Sequence, residues 1–294
     1  MTLHSSAIRP DVTGFFDDAT NTVTYVVADP ATGDAAIIDP VLDYDAAAAR
    51  TSTRSIERVL EYITDKELKL VRVLETHAHA DHLTGADEIR NRTGVPIGIG
   101  RDITKVQKVF GTLFDAHDVT PDAVVFDETY ADGDRFSIGS LQAQVLHTPG
   151  HTPACVTYVI GDSAFVGDTL FMPDFGTARC DFPGGDARTL YSSIHKILSL
   201  PDSTRIFVGH DYLTAQRKEF QWETTVEAQK RDNIHIGQGR SEDDFVALRE
   251  ARDAGLSAPK LILPALQINI RAGALPPAEA NGKQFLKLPL NQLS

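Results

Sequence analysis

Several residue types that mark particular classes of protein are scarce in this 294-residue sequence. The only cysteines are Cys155 and Cys180, whose spacing matches neither a zinc finger nor a redox pair, so no disulfide framework is expected. No apolar run approaches the length of a membrane span, and residues 1–6 lack the basic start and apolar run of a signal peptide. These absences predict a cytoplasmic protein in a reducing compartment, without a membrane partner.

Basic side chains are also in the minority, with 28 Lys and Arg against 41 Asp and Glu and a formal net charge of −13. A protein of this charge repels phosphate backbones and anionic membrane surfaces, so we expect no nucleic-acid partner. Hydrophobic residues make up 42% of the chain and charged residues 23%, which is typical of a folded globular protein and excludes a disordered or coiled-coil chain.

Short β-like runs dominate the first 210 residues, with helices between them. Alternating, β-branched residues predict a hairpin of strands 22–27 and 35–38, and helical spacing predicts a helix over 55–68 before a strand at 70–74. A later helix with Leu190 and Ile194 on one face is expected to be capped by Asp186. Further strands are expected at 141–146, 156–160, 164–166 and 206–208.

The residues after 213 differ in character from those before them. Helical patterns replace the strands there, including a Ser241-x-x-Asp244 cap, and five of the fifteen prolines fall in the last 36 residues. That proline content argues against a long regular helix beyond residue 259. We therefore expect a single domain over 1–294, in which 213–294 is a helical and proline-containing C-terminal extension.

Four segments at the ends of predicted strands carry side chains that bind metals. The run from His77 to His82 supplies His77, His79, Asp81 and His82 directly after an apolar strand, where a loop can turn them towards one point. His151 follows in Thr-Pro-Gly-His, Asp168 in Gly-Asp and His210 in Gly-His. A lone histidine is usually structural, but four such segments together predict a metal centre.

The order His-x-His-x-Asp-His, Thr-Pro-Gly-His, Gly-Asp and Gly-His resembles the metallo-β-lactamase superfamily over roughly residues 12 to 215. The resemblance implies an α+β fold, the αββα sandwich of two mixed sheets with outer helices. Residues 175–185, which contain Gly176-x-x-Arg179-x-Asp181-Phe182, are similar to a stretch of persulfide dioxygenases. The C-terminal tail, residues 264–291, is similar to that of a bacterial subgroup of these enzymes that is also catalogued as β-lactamase-like hydrolases. Glyoxalase II, the nearest hydrolase relative, is expected to differ in both places.

The resemblance implies one iron(II) per chain, held by His77, His151 and Asp168. Two imidazoles and one carboxylate leave up to three positions open for O₂ and substrate. The implied reaction oxidises glutathione persulfide with O₂ and water to sulfite and glutathione. His79, Asp81, His82 and His210 then orient ligands and water as outer hydrogen-bonding partners.

The same ligands keep a second hypothesis open, a glyoxalase II-type thioester hydrolase with two zinc ions. In it, His77, His79 and His151 hold one zinc, Asp81, His82 and His210 hold the other, and Asp168 bridges them. A non-enzymatic sensor is a third hypothesis, but no ligand of the pattern is missing. The assembly is left open between monomer and homodimer.

Substrate contacts are predicted at Arg179, Arg271 and Cys180. Glutathione carries two carboxylates, and the planar guanidinium of Arg179 or Arg271 can bind a carboxylate with two hydrogen bonds. Residues 260–294 have a net charge of +3 while the rest of the chain is at −16, so we expect the tail to pack beside the metal centre. The alternatives are an ion pair of Arg179 with Asp181 or Asp186, tail charges that only dock the tail, and a buried Cys180 thiol.

Overall fold

The structure is a computed structural model and describes residues 8–292. In this range the strands are β1 (Asp11–Asp17), β2 (Thr22–Ala28), β3 (Asp34–Ile38), β4 (Val41–Asp45), β5 (Arg50–Ser52), β6 (Lys69–Glu75), β7 (Leu83–Thr84), β8 (Ile97–Gly100), β9 (Glu128–Tyr130), β10 (Arg135–Ile138), β11 (Leu141–His147), β12 (Val156–Ile160), β13 (Ser163–Phe165), β14 (Arg205–Phe207) and β15 (Glu223–Thr225). The helices are α1 (Arg54–Asp65), α2 (Ala86–Thr93), α3 (Ile103–Leu113), α4 (Ala187–Leu198), α5 (Val226–Asp232), α6 (Glu242–Asp253) and α7 (Ile262–Asn269).

Two six-stranded mixed sheets form the centre of the molecule. The first has the order β1-β2-β3-β6-β8-β9, antiparallel up to β3 and parallel from there on. The second has the order β10-β11-β12-β13-β14-β15, in which only β13 and β14 are parallel. A small antiparallel sheet, β5-β4-β7, lies beside them.

The side chains of the central strands show how the layers pack. On β3, Ala36 and Ile38 belong to the core between the two sheets, while Ala35 and Ile37 belong to a core with α1, α2, α3 and α7. The strand is therefore buried on both faces, as its continuous apolar sequence requires. Helices α4, α5 and α6 cover the outer face of the second sheet through a third core. The predicted αββα sandwich is thus confirmed.

The hairpin and the principal strands lie where the sequence predicts them. The helix predicted over 55–68 ends earlier, at Asp65, because Glu67 has left-handed backbone with φ of 53°, a conformation that commonly ends helices. Asp186 caps α4 as expected, accepting a hydrogen bond of 2.7 Å from the backbone N–H of Thr189. Ser241 caps α6 in the same way through the N–H of Asp244.

The predicted C-terminal extension, 213–294, contains α5, α6 and the eight-residue α7. From 274 to 292 the structure assigns neither helix nor strand. Residues 293–294 and residues 1–7, which include the stretch 1–6 without a signal-peptide pattern, lie outside the described range. Among the described helices, none combines the length and the apolar character that crossing a membrane requires.

Candidate metal centre

His77 is held in one orientation by the residue before it. The Thr76 hydroxyl donates to Asp39 Oδ2 at 2.8 Å and can therefore accept from His77 Nδ1 at 3.0 Å. Gly167 packs directly against the Thr76 hydroxyl. Its φ is +49°, and a Cβ at this position would lie 2.5 Å from Thr76 Oγ1, so glycine leaves the space that the hydroxyl occupies. Protonation at Nδ1 leaves His77 Nε2 unprotonated, which is the form that binds a metal.

His151 is oriented through the segment that resembles persulfide dioxygenases. Its Nδ1–H donates to the Arg179 carbonyl oxygen at 2.8 Å, and its ring packs near Phe182 with centroids 6.2 Å apart. This hydrogen bond directs Nε2 towards the end of β13, where Asp168 follows the strand. The backbone of Arg179 therefore has a role at this site that is separate from its side chain.

The structure brings His77, His151 and Asp168 together. Asp168 Oδ2 lies 3.9 Å from His77 Nε2 and 3.6 Å from His151 Nε2, and one ligand atom of each lies within 4.8 Å of the others. Within residues 8–292, several buried ligand atoms have no hydrogen-bond partner: His77 Nε2, Asp168 Oδ1, both ring nitrogens of His79, Asp81 Oδ2, His82 Nε2 and His210 Nε2. Because buried polar atoms are normally paired, these atoms fit a bound metal ion.

His79, Asp81 and His210 form a second candidate group. His210 Nε2 lies 3.2 Å from Asp81 Oδ2 and 3.3 Å from Asp168 Oδ1, so Asp168 faces both groups with different oxygens. The two-zinc hypothesis places His79 with His77 and His151, and the rings of His79 and His77 do lie side by side, with centroids 4.0 Å apart. His82 is fully buried, and its Nδ1–H donates to the carbonyl of Leu83 at 3.1 Å.

His79 also makes contacts that the sequence analysis missed. Its Nε2 lies 3.1 Å from Asp39 Oδ1 and 3.4 Å from Glu75 Oε2, in a buried cluster with both carboxylates. Thr84 donates to Glu75, and the backbone N–H of Thr76 donates to Asp39 at 2.7 Å. A sequence signal for Asp39 existed, because it directly follows the apolar end of β3, as Asp168 and His210 follow theirs.

Burial and mutual charge decide the ionisation of these groups. Burial lowers the pKa of His77 well below its ordinary value, and the neighbouring His79 lowers it further. Burial, then His79, lowers the pKa of His82 to about 3. For His79 burial acts in the same direction, but the carboxylates of Asp39 and Glu75 outweigh it and raise the pKa. Neutral His77 and His82 are therefore in the state that a metal ligand requires.

A cavity of about 920 Å³ leads to the metal centre, reaching His151, Asp168 and Asp81. Aromatic side chains line it beside these ligands, and basic ones line its wall. The aromatic residues are Phe171, Phe175 and Tyr212, and the basic residues on the wall include Arg179, Arg249, Arg252 and Lys260.

Of the three residues predicted to contact the substrate, only Arg179 lines the cavity. Arg179 lines the cavity and also binds Asp181 with two hydrogen bonds of 2.5 Å, so the contact and the ion pair both occur. Arg271 is not among the cavity residues; it is buried, and Nε and Nη2 each donate to Asp118 at 2.7 Å. Cys180 is also buried outside the cavity lining, and burial raises its pKa. Lys260 is the tail cation that reaches the cavity.

The αββα fold and the cluster of histidines and aspartates define a metal-dependent enzyme of the metallo-hydrolase type. The sequence profile of the metallo-beta-lactamase superfamily matches residues 17–210, which is more than half of the chain and includes all four ligand segments. The chain therefore belongs to this superfamily.

Named relatives of the chain carry different descriptions. It is 52% identical over 288 residues to a beta-lactamase hydrolase-like protein of Agrobacterium fabrum, across 98% of this chain and 66% of that protein, so it spans about two thirds of that relative's length. It is 46% identical to glyoxylase B2 of Dictyostelium discoideum, across 91% and 92% of the two chains. It is 30% identical to the mitochondrial persulfide dioxygenase ETHE1 of Mus musculus, across 89% and 88%.

Among solved structures, the crystal structure of ETHE1 from Myxococcus xanthus is similar to this one. The TM-score is 0.72 at 31% sequence identity, and the match covers 90% of this chain and 100% of that chain. The likeness therefore includes most of the segment after residue 213 as well as the sheets.

Proposed function

We propose that this protein is an iron-dependent persulfide dioxygenase. It oxidises glutathione persulfide with one O₂ and one water to glutathione and sulfite. The observation that carries the proposal is the group of His77, His151 and Asp168, two imidazoles and one carboxylate with each imidazole fixed by its own hydrogen bond. This donor set is typical of mononuclear iron(II) oxygenases.

We propose a single ion at this centre, because His77, His151 and Asp168 form a two-His-one-carboxylate group without a further ligand. His79 lies beside His77, and its Nε2 faces the buried carboxylates of Asp39 and Glu75, which fix the orientation of its ring. We assign His79, Asp81, His82 and His210 to the support of the centre and not to a second ion.

The similarity to persulfide dioxygenases also falls on residues that contact the site. The Gly176–Phe182 stretch accepts the hydrogen bond of His151 at the carbonyl of Arg179, and Phe182 packs beside the same ring. Two relatives that align over most of their length, the ETHE1 proteins of mouse and of Myxococcus xanthus, add support. Of these two, the mouse protein is named a persulfide dioxygenase.

When bound, iron(II) supplies open positions and the one-electron chemistry that O₂ requires. The chain's own residues bind and orient the substrate. Arg179 and Lys260 line the same cavity as His151 and Asp168, so their positive charges attract the carboxylates of the tripeptide into that cavity. Phe171 and Tyr212 pack beside His210, with ring centroids 6.1 and 5.6 Å from it, and line the cavity together with Phe175.

The test combines metal analysis with oxygen uptake. We expect anaerobically prepared protein to hold about one iron per chain and to form one sulfite for each O₂ consumed, only in air. His77→Ala should lose iron retention and activity, because it removes one of three ligands. His117→Ala is the matched control, since His117 has an 88% exposed side chain outside the site and should leave both unchanged.

A two-zinc thioester hydrolase is the second candidate. It is favoured by Asp168, whose Oδ1 faces His210 while its Oδ2 faces His77 and His151, as a bridging carboxylate requires. The names of the Agrobacterium fabrum and Dictyostelium discoideum relatives point the same way. Two zinc ions per chain, with turnover of lactoylglutathione under argon and no oxygen uptake on persulfide, would select this candidate and overturn the first.

A further inference from the structure

We infer that Asn269, at the end of α7, is a positioning residue for the metal-binding loop His77–His82. The inference concerns metal binding by this loop and does not depend on which of the two reactions the centre performs. The backbone polar groups of this loop must be paired, because the loop is buried.

The amide of Asn269 pairs three of these backbone groups. Its Nδ2 donates to the carbonyl oxygens of His79 and His82, each at 2.8 Å, and its Oδ1 accepts from the N–H of Thr84 at 2.8 Å. Asn269 is itself 3% exposed. One planar side chain therefore fixes the loop on both sides of Asp81, and fixes the carbonyls of two histidines in the candidate metal sequence.

The segment that carries Asn269 is firmly anchored. Gln107 of α3 donates to the carbonyl of Ile270 at 3.1 Å, and Arg271 binds Asp118 through two hydrogen bonds. Gly273 follows with φ of +100°, and a Cβ there would lie 3.0 Å from Thr84 O. Such close packing leaves the segment little freedom to move away from the loop.

These contacts give the C-terminal extension a function in metal binding although it supplies none of the seven candidate ligands. Asn269 lies 190 positions from His79 and 187 from His82 in the sequence.

The test replaces Asn269 by aspartate, which keeps the shape but puts a carboxylate oxygen against two carbonyl oxygens. We expect the affinity for Zn²⁺, measured by competition with a chromophoric chelator, to fall about 10–100-fold, as is typical for residues that orient metal ligands. The visible absorption bands of the Co²⁺-substituted protein should shift as well. A residue with only a structural role would lower the melting temperature of the apoprotein and change neither readout.

Gln267→Glu is the matched control. Gln267 is also a buried amide of α7, but it pairs with the backbone of Lys287 and Leu263 and not with the loop. Its replacement should leave Zn²⁺ affinity and Co²⁺ bands unchanged. Asn269→Ser, which adds no charge, is the second variant in case the carboxylate prevents folding.

Unchanged Zn²⁺ affinity in either folded Asn269 variant would overturn the inference. So would the failure of both Asn269 variants to fold while Gln267→Glu folds, because Asn269 would then hold the whole fold and not position the loop. An equal loss of affinity in Gln267→Glu would also count against it, since any disturbance of α7 would then have the same effect.

Discussion

A buried ion pair on α6 gives the sharpest prediction about the segment beside the metal centre. Arg249 and Asp253 are 3% and 8% exposed and lie one helical turn apart, with Nη2 and Oδ1 separated by 2.7 Å. Arg249 also donates to the carbonyl of Thr177 at 3.0 Å, and the N–H of Cys180 donates to Asp253 at 2.8 Å. The pair therefore clamps α6 to the segment that presents Arg179 to the cavity.

Replacing Arg249 by methionine leaves the carboxylate of Asp253 buried without its cation. Removing one partner of a buried ion pair typically costs about 3–5 kcal/mol. In a chain of this size each kcal/mol lowers the melting temperature by about 2–4 °C, so we expect a decrease of roughly 6–20 °C. The double variant Arg249→Met with Asp253→Leu should recover part of the loss, because no charge is then left unpaired.

The measurement is thermal unfolding of both variants, followed by circular dichroism at one metal content. Arg188→Met is the control, because Arg188 of α4 forms an exposed ion pair of 2.8 Å with Asp243 of α6, and an exposed pair should contribute little to stability. The reasoning is refuted if Arg249→Met loses no more stability than Arg188→Met, or if the double variant is less stable than the single one.

Two further predictions follow from charged groups elsewhere. Burial raises the pKa of Asp29, but hydrogen bonds from Ser140 and the local turn outweigh burial and lower the pKa to about 2. The ionised Asp29 carboxylate therefore stabilises the folded protein above about pH 4, and this contribution disappears towards pH 2. Asp29→Asn should make the free energy of urea unfolding fall less steeply between these pH values, and parallel curves for the two proteins would contradict this. Lys260→Ala should raise the KM for glutathione persulfide, because Lys260 lines the cavity. Arg271→Ala should break the ion pair with Asp118 and lower the melting temperature, with KM unchanged. A raised KM in Arg271→Ala with an unchanged KM in Lys260→Ala would restore the predicted role of Arg271.

The central strands and capped helices could be predicted because their signals are local. β2 and β3 alternate or run apolar over five to seven residues, and the caps of α4 and α6 are single side chains next to the helix. Strands such as β7 and β9 could not be predicted, since two or three residues carry no periodicity. Their extended conformation depends on β4 and β8, which pair with them from distant parts of the sequence.

At the site, sequence spacing predicted which residues come together but not how each ring is turned. His77 and His79 are two residues apart, with ring centroids 4.0 Å from each other, and yet they join different candidate groups. The difference comes from the partners of each ring: Thr76 for His77, and the pair Asp39 and Glu75 for His79. Asp39 arrives from β3, so no local pattern around the histidines contains this information.

In the C-terminal tail, net charge likewise predicted which segment lies near the cavity but not which of its side chains does. Its excess of basic residues predicted a cation beside the metal centre, and a basic residue of the tail, Lys260, does line the cavity. Arg271 was preferred for its planar guanidinium, but that geometry serves equally well for a carboxylate of the protein, and Asp118 takes both hydrogen bonds. A buried guanidinium requires such a partner, whereas an exposed ammonium does not. The net charge of a segment therefore identifies the segment that an anionic ligand can meet, while the internal acids decide which of its cations remain available.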